Sequence, residues 1–428
     1  MRLGDIANEG MVERGKPLDG VRVLTFEQMQ ALPFATQLLA RLGADVVKVE
    51  SPVGDMGRTS APMMTDPEDR PVGATFLRNN LNKRSMCVDL KDERGRDLVL
   101  RLSAGFDVVA ESFRPGAMSA LRLAYEDFAA VNPAVIYASV SGFGPVSGSG
   151  DKAGPGGRPI DGVSPYAGWP AMAPIVEAMS GIYEMKRSGD EPPVVVPVGG
   201  LGDLGTALFV TVGVLAALRD RDRTGEGQQV DVAMLDATIA MTDVVTNFWS
   251  MGMSGGDLGN LVLDGFRARD GWFIVQVARE QHFAKLVDFI GHPEWASDPR
   301  FATRQGWVAH LEDVLRPAVE GWAASLTKLE ACEALAAAGI PAGPCFSDEE
   351  VVHDPHVAAR DMLVEMPRSD GVDQSILTPG NPVRLSKVAR GPETRVPWLG
   401  EHTGEVLRKD MGLTDEELDA LRAEGVVL

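Results

Sequence analysis

The stretch VRVLTFEQMQALPFATQLLARLGADVVKVE, residues 21–50, decides the fold of this chain. Val21–Phe26 is a β-branched, apolar run that predicts a buried strand, and Asp45–Glu50 predicts a second strand. Between them, apolar residues at helical spacing predict a helix over Gln30–Leu42, with Gly43 placed where a helix C-cap is expected. A strand, a helix and a strand in this order form a βαβ unit, which indicates a parallel sheet.

The alternation of strands and helices continues along the first half of the chain and predicts an α/β fold. Further strands are predicted at Met86–Leu90, Asp107–Glu111 and Ala134–Val140, and further helices at Arg94–Ser103, Ala117–Val131 (broken near Leu123), Ala173–Met185 and Leu204–Arg219. Gly142–Gly162 is rich in Gly, Pro and Ser and is predicted to be a long loop.

A change of pattern after Val230 predicts a second, smaller domain that reaches to about Pro341. This part of the chain combines a short strand at Trp272–Val277 with amphipathic helices at His282–Ile290 and Glu312–Leu326. Near the C-terminus, Thr414-Asp-Glu-Glu is a capping-box signature, which predicts the start of a last helix.

Composition and charge exclude several classes of protein. Of 428 residues, 61 are Asp or Glu and 41 are Lys or Arg, so the formal net charge is −20 and binding to nucleic acid or to an anionic membrane is disfavoured. The three cysteines form no paired spacing, which fits a reducing compartment. The N-terminus has no apolar signal-peptide region, and the longest helix-compatible uncharged run, Leu204–Leu218, is shorter than a membrane span. A cytoplasmic protein is expected.

Several common chemical signatures are absent from the sequence. There is no P-loop, no G-x-S-x-G, and no G-x-G-x-x-G after the first strand, so an oxidoreductase with the usual dinucleotide fingerprint is disfavoured. All six histidines lie at or after His282, and the pair His353 and His356 lacks a third metal ligand, so no metal is expected.

One carboxylate, Asp203, lies in the glycine-rich segment VGGLGDLG, residues 198–205, directly before the uncharged run. Asp is a favoured N-cap residue, so this side chain has a purely structural interpretation. A carboxylate at the positive end of a helix is also kept ionised, as a nucleophile must be, and bare backbone at Gly199–Gly205 would leave amides free for an oxyanion. Both interpretations stay open on the residues alone.

A group of basic residues is predicted at strand ends of the sheet. Asn82-Lys83-Arg84-Ser85 and Lys91 flank one strand, and Glu111-Ser-Phe-Arg-Pro-Gly116 ends another. Ligands of α/β sheets bind at the carboxyl ends of strands, so this group is a candidate site for a nucleotide or phosphate. The alternative is a set of solvated turn cations.

The sequence resembles the family III CoA-transferases, the group that includes formyl-CoA transferase, carnitine CoA-transferase and α-methylacyl-CoA racemase. The matching stretches, in family order, are Pro17–Leu24, Leu42–Glu50, Asn82–Ser85, Phe113–Gly116, Ala138–Gly144, Thr224–Gln228 and Leu399–Thr403. The resemblance implies a large Rossmann-like domain built from both chain ends (17–229 and 342–428), a small α+β domain with linkers (230–341), and an interlocked homodimer.

The resemblance also implies site residues. It places the family's catalytic aspartate on Asp203 and carries CoA contacts to Gln30, Ala31, Val88, Lys91, Ser112, Phe113, Arg114, Ser141, Gly142, Phe143 and Gly144. The guanidinium fork of Arg114 suits a CoA phosphate, and Ser112 stands where many members have Asn.

The function that follows is transfer of CoA from an acyl-CoA donor to a carboxylic acid through an aspartyl-CoA thioester on Asp203, with no metal and no permanently bound cofactor. An acyl-CoA racemase or epimerase of the same group is the alternative. Those enzymes use a His shortly before the aspartate, and Gly157–Gly162 contains none. A protein that binds CoA without catalysis is a third possibility, which the retained Asp203 disfavours.

Overall fold

The computed structural model describes residues 1–145, 163–184, 192–195, 200–242, 244–252 and 261–428, and the chain divides into two compact units. The large unit comprises Met1–Tyr183, Val195–Asp243 and Ala358–Leu428, so both ends of the chain belong to it. The small unit comprises Glu184–Val194 and Val244–Val357. Most of the predicted loop Gly142–Gly162 lies outside the described residues, as does the segment Gly157–Gly162.

Strands and helices alternate along the large unit. The strands are β1 (Arg22–Phe26), β2 (Asp45–Glu50), β3 (Met63–Thr65), β4 (Pro71–Gly73), β5 (Lys83–Cys87), β6 (Val108–Glu111), β7 (Ile136–Ser141), β8 (Gln228–Ala233), β9 (Val262–Ala268), β10 (Gly271–Val277), β11 (Ala342–Pro344), β12 (Leu363–Met366) and β13 (Ile376–Pro379). The α-helices are α1 (Ala31–Arg41), α2 (Ala74–Asn79), α3 (Glu93–Leu102), α4 (Ala117–Ala120), α5 (Tyr125–Val131), α6 (Ala173–Met179), α7 (Leu201–Thr224), α8 (Met234–Ala240), α9 (Glu280–Phe289), α10 (Arg304–Ala309), α11 (Arg316–Ala323), α12 (Lys328–Ala337), α13 (Asp348–His353), α14 (Pro355–Ala359), α15 (Thr403–Met411) and α16 (Asp415–Ala423).

Six parallel strands form the central sheet of the large unit, in the order β5-β2-β1-β6-β7-β8. The chain moves outward from β1 to β2 and β5, and then returns to the other side of β1 with β6. The boundary between β1 and β6 is therefore a topological switch point, which is where ligands of such sheets bind. The prediction of an α/β fold with a parallel sheet is confirmed.

Both faces of this sheet are covered, as the near-continuous apolar strands require. Val23 and Val46 point into a core that α1 and α7 complete with residues such as Leu32 and Val210. The neighbouring Leu24 belongs to the core on the opposite face, with residues of α3, α5 and α15. This alternation follows from the two-residue period of a strand.

Helix α7 is one of the core helices of the large unit. Among the described residues it is the one helix that is long and apolar enough, by length and composition, to cross a membrane, and half of its most apolar window is buried. It packs against α1, β7 and β8, which is the setting of a core helix in a soluble protein. The helix extends beyond the predicted uncharged run at both ends and takes in Asp203 and Arg221.

The small unit is an antiparallel sheet, β11-β10-β9, packed with helices. Its core contains Phe273 of β10, Phe283 of α9 and Trp307 of α10, and the last two rings stack at a centroid distance of 4.6 Å. The limits of the two units differ from the predicted 230–341. β8 joins the six-stranded sheet, and β11 pairs with β10.

Other differences have local causes. The predicted strand Met86–Leu90 lies instead at Lys83–Cys87, since the Lys83 ammonium is buried in an ionic network that no apolar pattern reveals. The predicted helix Ala173–Met185 ends at Met179. The predicted helix Glu312–Leu326 is interrupted, because a π-helical turn at Leu311–Leu315 precedes α11.

Candidate active site

A cavity of about 600 Å³ opens at the carboxyl end of the central sheet, beside the switch point. Loops that follow β1, β6 and β7 form much of its wall, together with residues of α6 and α7. The lining residues are Gln28, Met29, Gln30, Ala31, Met56, Thr75, Ser112, Phe113, Arg114, Pro115, Val140, Ser141, Gly142, Trp169, Pro170, Ala171, Met172, Ala173, Pro174, Glu177, Gly200, Asp203 and Met234.

The loop between β1 and α1 is held in an unusual conformation. Met29 has a φ of 64°, in the left-handed region that a side chain other than glycine rarely adopts. Its N–H donates to Asp55 Oδ1 at 3.0 Å, and its carbonyl accepts from Asn79 Nδ2 at 3.4 Å. These two contacts fix the loop that carries Gln30 and Ala31 into the cavity.

Asp55 in turn belongs to a buried ionic network behind the loop. Lys48 Nζ lies 2.6 Å from Asp55 Oδ2 and 3.5 Å from Glu27 Oε1, and Lys83 Nζ lies 2.7 Å from the same Glu27 oxygen. Burial opposes every one of these charges. The two lysines nevertheless lower the pKa of Glu27, and Asp55 and Glu27 raise the pKa of Lys48. For Lys83, burial prevails and lowers the pKa to about 8.

Asp203 is the third residue of α7, not its N-cap. The N-cap is Gly200, which has a φ of 62°, and no side chain caps the helix from that position. A Cβ added to Gly200 would lie 2.6 Å from Asp203 Oδ2 and 3.1 Å from Gln30 Nε2. The predicted N-cap role of Asp203 is therefore wrong, because the helix begins at Leu201, two residues before the carboxylate.

The helix start is satisfied by Glu177, a residue that the sequence analysis missed. Glu177 Oε1 accepts from the Gly202 N–H at 2.8 Å, and its other oxygen accepts from the hydroxyl of Tyr183. The side chain is 4% exposed. No spacing signal could have found it, since it lies on α6, 25 residues before the amide that it caps. The Gly202 amide is consequently not available to an oxyanion.

Burial, followed by the charge of Glu177, raises the pKa of Asp203 to about 6, while Arg78 acts in the opposite direction. The expectation that the helix end keeps this carboxylate ionised is thus wrong in direction, because desolvation and a neighbouring like charge outweigh the helix terminus. A strongly raised carboxyl pKa in a cavity is typical of a functional site.

The structure brings most of the predicted CoA residues to this cavity. Gln30, Ala31, Ser112, Phe113, Arg114, Ser141 and Gly142 line it. Gly144 lines a smaller neighbouring cavity of about 50 Å³, which also contacts Phe113, Arg114 and Ser141.

Three predicted residues line neither of these two cavities. Phe143 is buried and packs its ring against Tyr166 and Trp169. Val88 is fully buried in a core and bridges to Val427, and the exposed Lys91 follows β5 at the edge of the sheet. Because β5 and β1 are separated by β2, these last two residues lie away from the switch point.

Two polar groups of the cavity wall are open to a ligand. Arg114 is exposed, and no carboxylate of the described residues pairs with it. Ser112 Oγ is buried without a hydrogen-bond partner in the described part of the chain. Within that same part, no group of three or more His, Cys, Asp or Glu side chains could hold a metal ion.

A cavity at the switch point of a parallel sheet, with a buried carboxylate and an open arginine in its wall, defines a Rossmann-like protein that binds an anionic ligand. Comparison with known proteins identifies the ligand class. CoA-transferase family III matches residues 18–403. The formyl-CoA:oxalate CoA-transferase of Streptomyces avermitilis is 33% identical over 96% of this chain and 100% of its own length.

Two further relatives agree with this match. The succinyl-CoA:mesaconate CoA-transferase of Haloarcula hispanica is 34% identical over 91% of this chain and 95% of its own. The crystal structure of a CAIB/BAIF family protein from Brucella suis superposes with a TM-score of 0.78 at 32% identity, over 92% of this chain and 100% of that one. The chain belongs to CoA-transferase family III, and it is a CoA-transferase that moves CoA between an acyl-CoA and an acid.

The surroundings of Asp203 predict a stability that depends on pH. We expect Asp203→Asn to be more stable than the unchanged protein at pH 8 and to lose this advantage as the pH falls from 6 to 4. The carboxyl titrates near 6 when folded and at its ordinary value of 3.8 when unfolded. Above pH 6 the folded state therefore holds a disfavoured charge, and below 3.8 both states are protonated and the penalty vanishes. Urea unfolding should show a gain of about 1–3 kcal/mol at pH 8.

Asp220→Asn is a matched control, because Asp220 lies near the other end of α7 in an exposed ion pair with Arg223. Its effect should be close to zero at both pH values. A loss of stability for Asp203→Asn at pH 8 would contradict the assignment of a raised pKa.

Proposed function

We propose that Asp203 is the nucleophile of the transfer. Its carboxylate attacks the thioester carbonyl of the acyl-CoA donor, the C–S bond breaks, and CoA leaves as a thiolate from a mixed anhydride. The thiolate then attacks the Asp203 carbonyl, which releases the donor acid and forms an aspartyl-CoA thioester. The acceptor carboxylate repeats these two steps in reverse and regenerates the Asp203 carboxylate. Covalent catalysis of this kind divides one difficult exchange into easier ones.

The observation that carries this proposal is the raised pKa of Asp203 in the wall of the large cavity. A desolvated carboxylate is a stronger nucleophile than a solvated one, and at a pKa of about 6 it is still mainly ionised at neutral pH. Gln30 is well placed to assist. Its Nε2 and Asp203 Oδ2 both approach Gly200, so the Gln30 amide can donate to an oxygen that develops charge beside Asp203.

We propose that CoA occupies the cavity along the loops after β1, β6 and β7, with Arg114 on a phosphate. Support comes from position and charge. Arg114 is exposed at the cavity wall without a carboxylate partner among the described residues, and a guanidinium binds phosphate oxygens in a bidentate manner. The proposed contacts also include the other lining residues Gln30, Ala31, Ser112, Phe113, Ser141 and Gly142. Val88, Lys91, Phe143 and Gly144 are the weaker part of this proposal, because they are not in this wall.

We further propose a cytoplasmic homodimer, in which a second copy covers the outer face of α7. Leu201, Leu208, Phe209 and Val212 leave 40–63% of their surface exposed on this helix, which is unusual for large apolar residues. An interlocked arrangement is the form implied by the resemblance. Light scattering should give about twice the chain mass of 45.8 kDa. A monomer at micromolar concentration would remove this proposal.

The nucleophile is tested by Asp203→Asn. The amide has the same shape but cannot attack a thioester, so transfer should fall by several orders of magnitude while the protein remains folded. The unchanged protein, treated with acyl-CoA and then with borohydride, should be reduced at Asp203, because a thioester or an anhydride is reducible and a free carboxylate is not. Peptide mass spectrometry reads the modified residue, and a matrix of donors and acceptors reads transfer.

Glu177→Gln serves as the matched variant, since it keeps a side chain that can accept from Gly202 and leaves the nucleophile in place. Transfer should persist in it. Near-normal transfer by Asp203→Asn would show that the carboxylate is not the nucleophile. Exchange of the α-proton of an acyl-CoA in deuterated water, without transfer, would instead indicate the racemase.

The CoA site is tested by Arg114→Ala. We expect CoA to bind about 1–3 kcal/mol more weakly, the scale of a hydrogen bond to a charged group. Arg223→Ala is the control, because Arg223 is exposed near the end of the 24-residue helix α7 that is remote from Asp203. Calorimetric titration with CoA measures both variants. Unchanged affinity in Arg114→Ala would take this residue out of the site.

A further inference from the structure

A second cavity, of about 340 Å³, lies in the large unit beside helix α2. Its walls are mainly apolar, with Met63, Met64, Leu77 and Ile376 among the lining residues, and its polar side chains are Arg78, Arg368 and Thr378. An apolar cavity with guanidinium groups in its wall suits a ligand that combines a short carbon chain with a carboxylate.

Of the two arginines in this wall, Arg78 is the one with an unsatisfied charge. Arg368 forms an ion pair with Asp370, and the neighbouring Arg41 forms one with Glu393 at 3.1 Å. Arg78 donates to Asn79 Oδ1 at 2.8 Å and lies 5.2 Å from the centre of the Phe34 ring, but no carboxylate of the described residues pairs with it. A half-buried guanidinium without a counter-ion is costly, and a carboxylate ligand would remove that cost.

Arg78 is also connected to the large cavity that contains Asp203. Helix α2 contributes Thr75 to the wall of that cavity and Arg78, three residues later, to the wall of the second one. The adjacent Asn79 donates to the carbonyl of Met29 in the loop that lines the large cavity. Burial and Arg41 lower the pKa of Arg78, but the charge of Asp203 raises it, so the two side chains lie within electrostatic reach of each other.

We propose that Arg78 is a specificity-determining residue that binds the distal carboxylate of a dicarboxylic acid, while the proximal carboxylate of the same acid reacts at Asp203. The proposal rests on the proposed function, since it assigns the class of acid that receives or donates CoA there. A monocarboxylic acid of equal length would leave the Arg78 guanidinium unpaired, and a site built for a polar group rejects an analogue that lacks it.

The test compares succinate with butyrate as CoA acceptors, because they have equal carbon chains and differ in the distal carboxylate. With the unchanged protein, kcat/KM should favour succinate by roughly 10- to 100-fold, the range expected for one charge-assisted contact. Arg78→Gln should abolish this preference through a higher KM for succinate, with butyrate transfer preserved. Arg78→Lys should recover part of the preference, because it keeps the charge and loses the bidentate fork.

Arg70→Gln is the control variant, since Arg70 is paired with Asp66 at 2.7 Å and lines neither cavity; it should keep the preference for succinate. Butyrate transfer by Arg78→Gln reports that this variant is folded. Equal kcat/KM for the two acids in the unchanged protein, or an equal loss for both acids in Arg78→Gln, would overturn the role of Arg78 while CoA transfer itself stands. Failure to transfer CoA from any donor to any acid would overturn the proposed function, and this proposal with it.

Discussion

The buried contact between Lys48 and Asp55 is the interaction on which the geometry of the site depends. Asp55 uses one oxygen for the Lys48 ammonium and the other for the N–H of Met29, so a charge inside the fold sets the conformation of a cavity loop. Glu27 and Lys83 extend the network and complete its neutralisation. Replacing such pairs with apolar residues is often neutral for stability, so positioning is the more plausible benefit of retaining them here. An apolar substitute for Asp55 would have no acceptor for Met29.

Helix α7 illustrates how two electrostatic effects compete at one carboxylate. Its N-terminus favours negative charge within the first turn, by an amount of about 0.3–1 kcal/mol at an exposed site. Glu177 already accepts from the Gly202 amide and so uses part of that favourable environment. Asp203 is left with burial and a like charge, and its pKa rises to about 6. The side chain that stabilises the start of the helix thus also adjusts the acidity of its neighbour.

The sequence allowed prediction of those features that local patterns encode. The β1, α1 and β2 segments came from periodicity, and the gathering of Gln30, Ser112 and Arg114 at one cavity follows from their positions after parallel strands. Position after a strand was not sufficient for Lys91, because the order of strands decides which ends meet and β5 lies at the edge. Glu177 and the buried role of Lys83 depend on contacts between distant segments, which no local pattern contains.

The net charge of −20 makes the local distribution of cations decisive for a protein whose substrates are all anions. Most buried cations of the large unit are neutralised within the fold: Lys48 by Asp55, Arg58 by Glu50 and Arg41 by Glu393. Among the described residues, Arg114 and Arg78 stand in cavity walls without such a partner. Their charge is therefore available to a ligand, and it acts over a distance shorter than the repulsion of the whole chain, which salt screens beyond about 10 Å. Anion binding by an acidic protein requires this separation between structural cations, which are paired, and ligand-binding cations, which are not.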